Sequence, residues 1–292
     1  MSKTGAGNSR KMGAKKTAAA SGPTLAQCAD RHVLYQKSVQ AADVEVAFFA
    51  AQYLALRGAP ALTMREDFCG TALLSTEWCK SDEKRTAIGV DLCADTLQWA
   101  IDHNLSPEVA ARVTLRNEDV CTVQCDQVDV VCAMNFSYCV FKTRDALRAY
   151  FANVHRGLNK QGIFALDLLG GTATCDVSHE ERKIAGERAW YIWEQEQFNP
   201  INHHLLAHIH FRFADRSRLD KAFTYDWRLW TLPELSELLT EAGFSNVRVY
   251  WEGFAENPND PDSEYMVGDG EYREVTEVEQ QESWLAYVIA ER

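Results

Sequence analysis

Three acids and one glycine turn mark where this sequence can do chemistry. The first acid lies in Arg65-Glu66-Asp67-Phe68-Cys69-Gly70-Thr71-Ala72, a tight turn that leads into a helix. Gly70 lacks a Cβ, so the backbone there can approach a ligand closely. Asp91 follows about twenty residues later, the spacing at which a strand-end acid meets a ribose. Its carboxylate can accept from both ribose hydroxyls. Asp119 ends a third strand, where a carboxylate can accept from an exocyclic amine. Each acid alone also fits a helix N-cap, as Asp91 and Asp95 would. Three in order after a glycine turn favour a binding site.

Other residue types need weighing. His204, His208 and His210 share one face of a strand, and three imidazoles can hold a metal. A polar sheet face is the favoured reading, and no metal is expected. Asp260, Asp262, Glu264 and Glu271 fall at calcium-loop spacing, but Tyr265 stands where glycine makes that turn. An acidic surface loop over 252–282 is expected instead. Tyr138 follows a fourth strand and is read as a substrate contact, its alternative being a packed aromatic.

These residues need a scaffold that gathers strand ends. The pattern predicts helices over 44–56, 72–79, 95–103, 145–158 and 233–242. The last has Pro233 early and Gly243 just beyond it. Apolar strands are expected over 61–64, 87–91, 113–115, 128–134 and 163–169. Their apolar character is continuous rather than alternating, which means burial on both faces. Strand and helix in alternation build right-handed β-α-β units and a parallel sheet. Ligands then bind beyond the carboxyl ends of the strands. After 169 the pattern changes to three strands without helices, over 190–198, 205–213 and 219–229. Strands over 247–251 and 284–290 close the chain. The expectation is one doubly wound α/β sheet with an antiparallel insertion over 187–230.

The motif set resembles the class I S-adenosylmethionine-dependent methyltransferases. Glu66 matches the family's acid, Cys69-Gly70-Thr71-Ala72 its glycine-rich turn, Asp91 its ribose acid and Asp119 the acid beside the adenine. Met134-Asn135-Phe136-Ser137-Tyr138 occupies the fourth-strand motif, and Gly157-Leu158 with Gly162-Ile163-Phe164 the turn before the fifth strand. The resemblance covers about 61–169 well. It implies a mostly parallel, seven-stranded sheet with the antiparallel insertion after the fifth strand, similar to small-molecule N-methyltransferases of the class. It implies S-adenosyl-L-methionine as cofactor, bound by Arg65, Glu66, Gly70, Asp91, Leu92, Asp119, Val120 and Asn135, with Tyr138 toward the acceptor. Residues 24–60 would form a helical lid, from which Arg31 or Tyr35 would reach the methionine carboxylate, as Arg65 would. No catalytic residue is assigned. Phe68 and Ala72 depart from the pattern, standing where the family has glycines, so a modified turn path is expected. There is no G-x-G-x-x-G, which weakens a dinucleotide reading. Asn135-Phe136-Ser137-Tyr138 also lacks the Asp/Asn-Pro-Pro-aromatic form of enzymes that methylate bases.

Composition narrows the partners. The 292 residues carry 30 Lys plus Arg against 42 Asp plus Glu, a net charge of -12. That opposes a broad nucleic-acid groove, and DNA is not an expected partner. No apolar run spans a bilayer. The nine cysteines include no C-x-x-C pair, which suits reduced thiols in a cytoplasmic protein. Residues 1–23 are rich in Lys, Gly, Ala and Ser. They lack the apolar core of a secretory signal and are read as a disordered tail in preference to an organelle transit peptide. The reading is a methyltransferase acting on nitrogen or oxygen of a small molecule. The alternatives are a protein or RNA methyltransferase that docks through the basic tail, and a non-catalytic binding module that keeps the fold. Oligomeric state is not fixed by the sequence.

Overall fold

The computed structural model describes residues 22–255 and 267–292. Three helices come first: α1 (Leu25–Cys28), α2 (Arg31–Val39) and α3 (Ala42–Arg57). Then follow β1 (Thr63–Asp67), α4 (Leu73–Lys80), β2 (Thr86–Asp91), α5 (Ala94–His103), α6 (Pro107–Ala110), β3 (Val113–Asn117), β4 (Val128–Ala133), α7 (Arg144–Gly157) and β5 (Leu158–Gly170). Strands β6 (Ser178–Lys183), β7 (Ala189–Asn199), β8 (His204–Phe213) and β9 (Arg218–Arg228) come next, before α8 (Leu232–Glu241). The chain ends with β10 (Asn246–Ala255), β11 (Val267–Val275) and β12 (Trp284–Glu291).

The main sheet runs β11-β10-β12-β5-β4-β1-β2-β3. Strands β1 to β5 pair in parallel, and β12, β10 and β11 join antiparallel beyond β5. The chain winds outward from β1 to β3, then crosses back to β4. Between β1 and β4 lies the point where strand order reverses, the place where such sheets open a crevice. The central strands are buried throughout, as at Val130, Val131, Cys132 and Ala133. One face packs α3 and α4 through Phe49, Leu74 and Trp78. The other packs α7 and α8 through Leu147, Phe151, Leu235 and Leu239.

Local chemistry sets the helix ends. Thr231 and Glu234 form a capping box at α8, satisfying two backbone donors that the helix leaves open. Thr143 caps α7 through its side chain. Helix α4 has no side-chain cap from its own flank; Glu66 on β1 supplies one instead, accepting from Ser75 N at 2.9 Å.

Strands β6 to β9 form a separate antiparallel sheet between β5 and α8. Its register puts Trp193 beside Ile209 and Ala207 beside Tyr225 on one face. The opposite face carries Glu194 beside His208 and Thr224. Its apolar face joins the main core through Leu205, Ala207 and Trp227, and packs on Leu34 of α2 through Ile209 and Phe211.

Three expectations need correction. The main sheet has eight strands among the described residues, not seven. The insertion has four strands and begins at Ser178 rather than at 187. Part of the stretch expected as an acidic loop over 252–282 is β11, which pairs with β10. Of the calcium-spaced acids, Glu271 lies on β11, while Asp260, Asp262 and Glu264 lie outside the described residues, as do residues 1–21. No helix among the described residues is long and apolar enough to cross a membrane.

Candidate active site

A cavity of about 350 Å³ opens at the carboxyl ends of β1, β2 and β4. Its floor is the turn 66–71, one side is Asp91, and another is the segment after β4 with Met134, Asn135 and Ser137. Arg31, His32 and Tyr35 of α2 close it from above, and Phe223, Tyr225 and Trp227 of β9 from the side.

Backbone hydrogen bonds to acids hold this geometry. Gly70 N donates to Asp91 Oδ2 at 2.8 Å, and Cys93 N donates to Asp91 Oδ1 at 2.8 Å. Each carboxylate oxygen therefore keeps a further lone pair. Glu66 Oε2 also accepts from Ser75 Oγ at 2.6 Å. Burial pushes the Glu66 carboxyl up to about 7, against the Ser75 bonds and with help from the Asp91 and Asp67 charges. Asp167, buried on β5, accepts from Asn135 N at 2.8 Å and Phe136 N at 2.9 Å. Burial raises it to about 7 despite those bonds.

Four non-glycine residues around the cavity adopt left-handed backbone: Phe68 (φ 59°), Ala72 (φ 51°), Asn135 (φ 55°) and Phe136 (φ 57°). Such conformations cost roughly 1–2 kcal/mol per residue and collect at functional sites. Phe68 and Ala72, standing where glycines were expected, thus take the positive φ that glycine adopts freely. Gly70 shares it at φ 51°, and a Cβ built there would meet nothing within 4 Å, so the space before it is open.

Helix α2 is tied to the turn and, through its N-cap Asp30, to α5. Gln36 Nε2 donates to Thr71 Oγ1 at 2.8 Å, and Trp99 Nε1 on α5 donates to Asp30 Oδ2 at 2.7 Å. The Arg31 guanidinium lies 5.4 Å from the Phe223 ring centre.

Of the residues singled out from sequence, Glu66, Gly70, Asp91 and Asn135 line the cavity together, with Arg31 and Tyr35. Leu92, 71% exposed, and Asp119, exposed, stand just past the ends of β2 and β3, outside its walls. Three others point elsewhere. Arg65 is 1% exposed and commits its guanidinium to Asp67, with Nη2 donating to Oδ2 at 2.9 Å. It lies against Gly157, where a Cβ would meet Arg65 Nη1 at 2.4 Å, so glycine makes room for it. Val120 is core, its carbonyl held by Asn153 Nδ2 at 2.7 Å. Tyr138 is fully buried and donates its hydroxyl to the Asp167 carbonyl at 2.7 Å; it is a packed aromatic, not a wall of either cavity.

The histidines of β8 each pair with a carboxylate: His204 with Asp226 at 2.6 Å, His208 with Glu196 at 2.8 Å and His210 with Glu194 at 2.9 Å. Among the described residues, no group of three or more side chains is placed to hold a metal ion. Asp167 escaped the sequence reading, though an acid inside the apolar run Leu166-Asp167-Leu168 was a signal. Gln40, Thr96 and Val140 also line the cavity and carried no signal.

A second cavity of about 220 Å³ adjoins the first. The two share Tyr35, Asn135, Tyr225 and Trp227 as walls.

No family model matches the chain, and no curated protein matches it. Solved structures do. An S-adenosylmethionine-dependent methyltransferase from Clostridium acetobutylicum superposes with a TM-score of 0.62 at 14% identity, over 89% of this chain and 96% of that one. CalS10 from Micromonospora echinaspora, an amino pentose methyltransferase with bound S-adenosylmethionine, gives 0.63 at 16% identity, over 89% and 95%. The glycopeptide N-methyltransferase MtfA, also with S-adenosylmethionine, gives 0.51 at 15% identity, over 87% and 95%. With the strand order and the crevice at its reversal, these likenesses show that the chain has the fold of the class I S-adenosylmethionine-dependent methyltransferases.

Proposed function

We propose that the protein is an S-adenosylmethionine-dependent methyltransferase that acts on nitrogen or oxygen of a small-molecule acceptor. The observation that carries this reading is the cavity at the strand-order reversal, where Gly70 leaves open space beside a carboxylate with spare lone pairs on both oxygens. Asp91 would hold the ribose hydroxyls and Arg31 the amino-acid carboxylate. Leu92 and Asp119, exposed beyond β2 and β3, would flank the adenine. Asp91 gives the site a carboxylate charge that suits a cation, Asp67 being paired with Arg65 and Glu66 raised to about 7 by burial.

S-adenosylmethionine supplies a sulfonium-bound methyl that is electrophilic without further activation. The chain's own task is then to position the acceptor and exclude water. Phe223, Tyr225 and Trp227 wall the site on one side and α2 covers it. A cavity covered by a helix and walled on one side by aromatic rings suits a small ligand. The net charge of -12 opposes a phosphate backbone. Structurally similar proteins described as amino pentose, sugar N- and glycopeptide N-methyltransferases support the same class of acceptor. All nine cysteines are free, which supports a reducing, cytoplasmic compartment.

Calorimetric titration with S-adenosylmethionine and S-adenosylhomocysteine tests the cofactor half. A metabolite extract supplied with methyl-labelled cofactor then tests the acceptor half. Saturable binding and label in small molecules are expected. Absence of binding by a folded protein defeats the reading, and label only in intact RNA or protein defeats the small-molecule part.

A further inference from the structure

We infer that the second cavity is the acceptor site and that it selects an organic cation, a small amine in its ammonium form; this rests on the methyltransferase reading. The walls argue for it. Tyr191, Trp193, Tyr225 and Trp227 present one aromatic surface from β7 and β9. The Trp193, Tyr225 and Trp227 ring centres lie 4.4–6.3 Å apart. Trp193 and Tyr225 stay half-buried despite these neighbours, and both line the cavity. Aromatic faces carry negative quadrupole density that attracts cations.

Charge points the same way. Glu180 of β6, in register with Trp193, is the one charged side chain among the described residues that line this cavity; no Lys, Arg or His does. Glu180 forms no ion pair among the described residues, whereas its neighbour Glu181 is paired with Arg212. Buried Asp167 lies directly behind Asn135 and Phe136, which form the wall toward β4. A carboxylate or phenolate ligand would meet Glu180 and ring faces, while Arg182, stacked on the Tyr191 ring at 4.7 Å, does not line the cavity. An ammonium meets the ring faces and the Glu180 carboxylate.

The chemistry of transfer favours the same wall. The bound ammonium first gives a proton to solvent water beside exposed Glu180; the resulting neutral amine uses its lone pair, a nitrogen–carbon bond forms, the methyl carbon–sulfur bond breaks, and its electron pair stays on sulfur. The positive charge therefore moves from sulfur to nitrogen and the product is an ammonium ion. Rings and Glu180 at the acceptor side stabilise that charge where it arrives.

The test uses an isosteric pair on the full chain saturated with S-adenosylhomocysteine: choline and 3,3-dimethylbutan-1-ol, which differ in a quaternary nitrogen or carbon. Calorimetry or tryptophan quenching is expected to show choline tighter by about tenfold or more, the scale of a desolvated cation–π contact. Glu180→Gln, a substitution at an exposed edge-strand position, is expected to narrow the preference severalfold. Trp193→Leu is expected to abolish it, with S-adenosylhomocysteine affinity held in both. Equal binding of the two probes, binding of neither, or a preference unchanged in both variants overturns the inference. The S-adenosylhomocysteine titration reports separately on the function: binding without an ammonium preference removes only this inference. An ammonium preference without cofactor binding removes the methyltransferase reading instead.

Discussion

Replacing Asp91 tests the cofactor site most directly, because two consequences of the change can be read apart. Each Asp91 oxygen holds one backbone N–H, from Gly70 and Cys93, at 2.8 Å. Each would accept one ribose hydroxyl. Hydrogen bonds to a charged group contribute about 1.5–3 kcal/mol. Asp91→Ala therefore is expected to weaken S-adenosylmethionine by roughly 3 kcal/mol, about 150-fold in Kd. It also leaves two backbone donors without their acceptor. The residue is half-buried, so water replaces part of that loss, and destabilisation of about 1–2 kcal/mol is expected. For a chain of this size that lowers Tm by a few degrees. Asp91→Asn separates the effects. It keeps one acceptor oxygen and the side-chain shape but turns an amide N–H toward one of the two backbone donors. Its expected loss of affinity is about 1.5–3 kcal/mol with a smaller shift in Tm. Calorimetry for Kd and scanning fluorimetry for Tm give the two readouts. If Asp91→Ala unfolds cooperatively like the wild type and binds S-adenosylmethionine with unchanged Kd, the strand-end acid does not hold the ribose.

The buried groups make further expectations. Arg65→Leu removes the cation beside Asp67, which then keeps only the Tyr150 hydroxyl, at 3.0 Å; breaking a buried pair this way costs about 3–5 kcal/mol by denaturant unfolding, and a loss under 1 kcal/mol would refute the pairing. Tyr138→Phe takes the donor from the Asp167 carbonyl and is expected to cost about 1–3 kcal/mol of stability with acceptor KM unchanged; a raised KM at constant Tm would return Tyr138 to the substrate site. Glu45 is buried on α3, and burial pushes its carboxyl from 4.5 up to about 8, with Asp167, Glu66 and Asp43 adding to the effect. A folded-state pKa above the unfolded one means that the native state holds the proton more tightly, so this stability is present below about 4.5 and is lost as pH rises through about 8. Tm of the wild type is therefore expected to fall between pH 5 and pH 8 more steeply than that of Glu45→Gln, and parallel profiles would contradict the burial.

The legible parts of this molecule are those that bury side chains. Strands β2, β4 and β5 announce themselves by apolar runs because helices cover both faces of the sheet, and Asp91 at the end of β2 stands out against that background. The strands that escaped are β6 and β11. Ser178–Lys183 exposes nearly every side chain, and the described side chains of β11 are mostly exposed. Both are edge strands, defined by backbone hydrogen bonds on one side, and such a strand leaves no period in the sequence to read. Arg65 was expected in the turn and lies in β1, while Tyr138 does stand just past β4; chain position alone did not reveal which way either side chain turns. Pairing with Asp67, two residues along the same motif, and a hydrogen bond to the Asp167 backbone on β5 fix those directions.

The glycine turn shows why acids were the better signal. Phe68 and Ala72 take the positive φ that glycine adopts freely. Something must therefore outweigh a strain of roughly 1–2 kcal/mol at each. Cys69 N bonds to Val90 O at 3.0 Å and Ala72 N to Cys69 O at 2.7 Å. Asp91 and Glu66 hold the next free donors, Gly70 N and Ser75 N. Together these bonds satisfy the backbone through a turn whose groups would otherwise be buried or orphaned at the start of α4. Burial supplies the rest, since Ala72 is fully enclosed with Leu97 and Ala100 of α5. The path is set by the strand end and its acids, and glycine at the flanking positions only lowers its cost. A sequence can lose those glycines and keep the turn. It cannot lose Asp91 and Glu66 without releasing both ends of it.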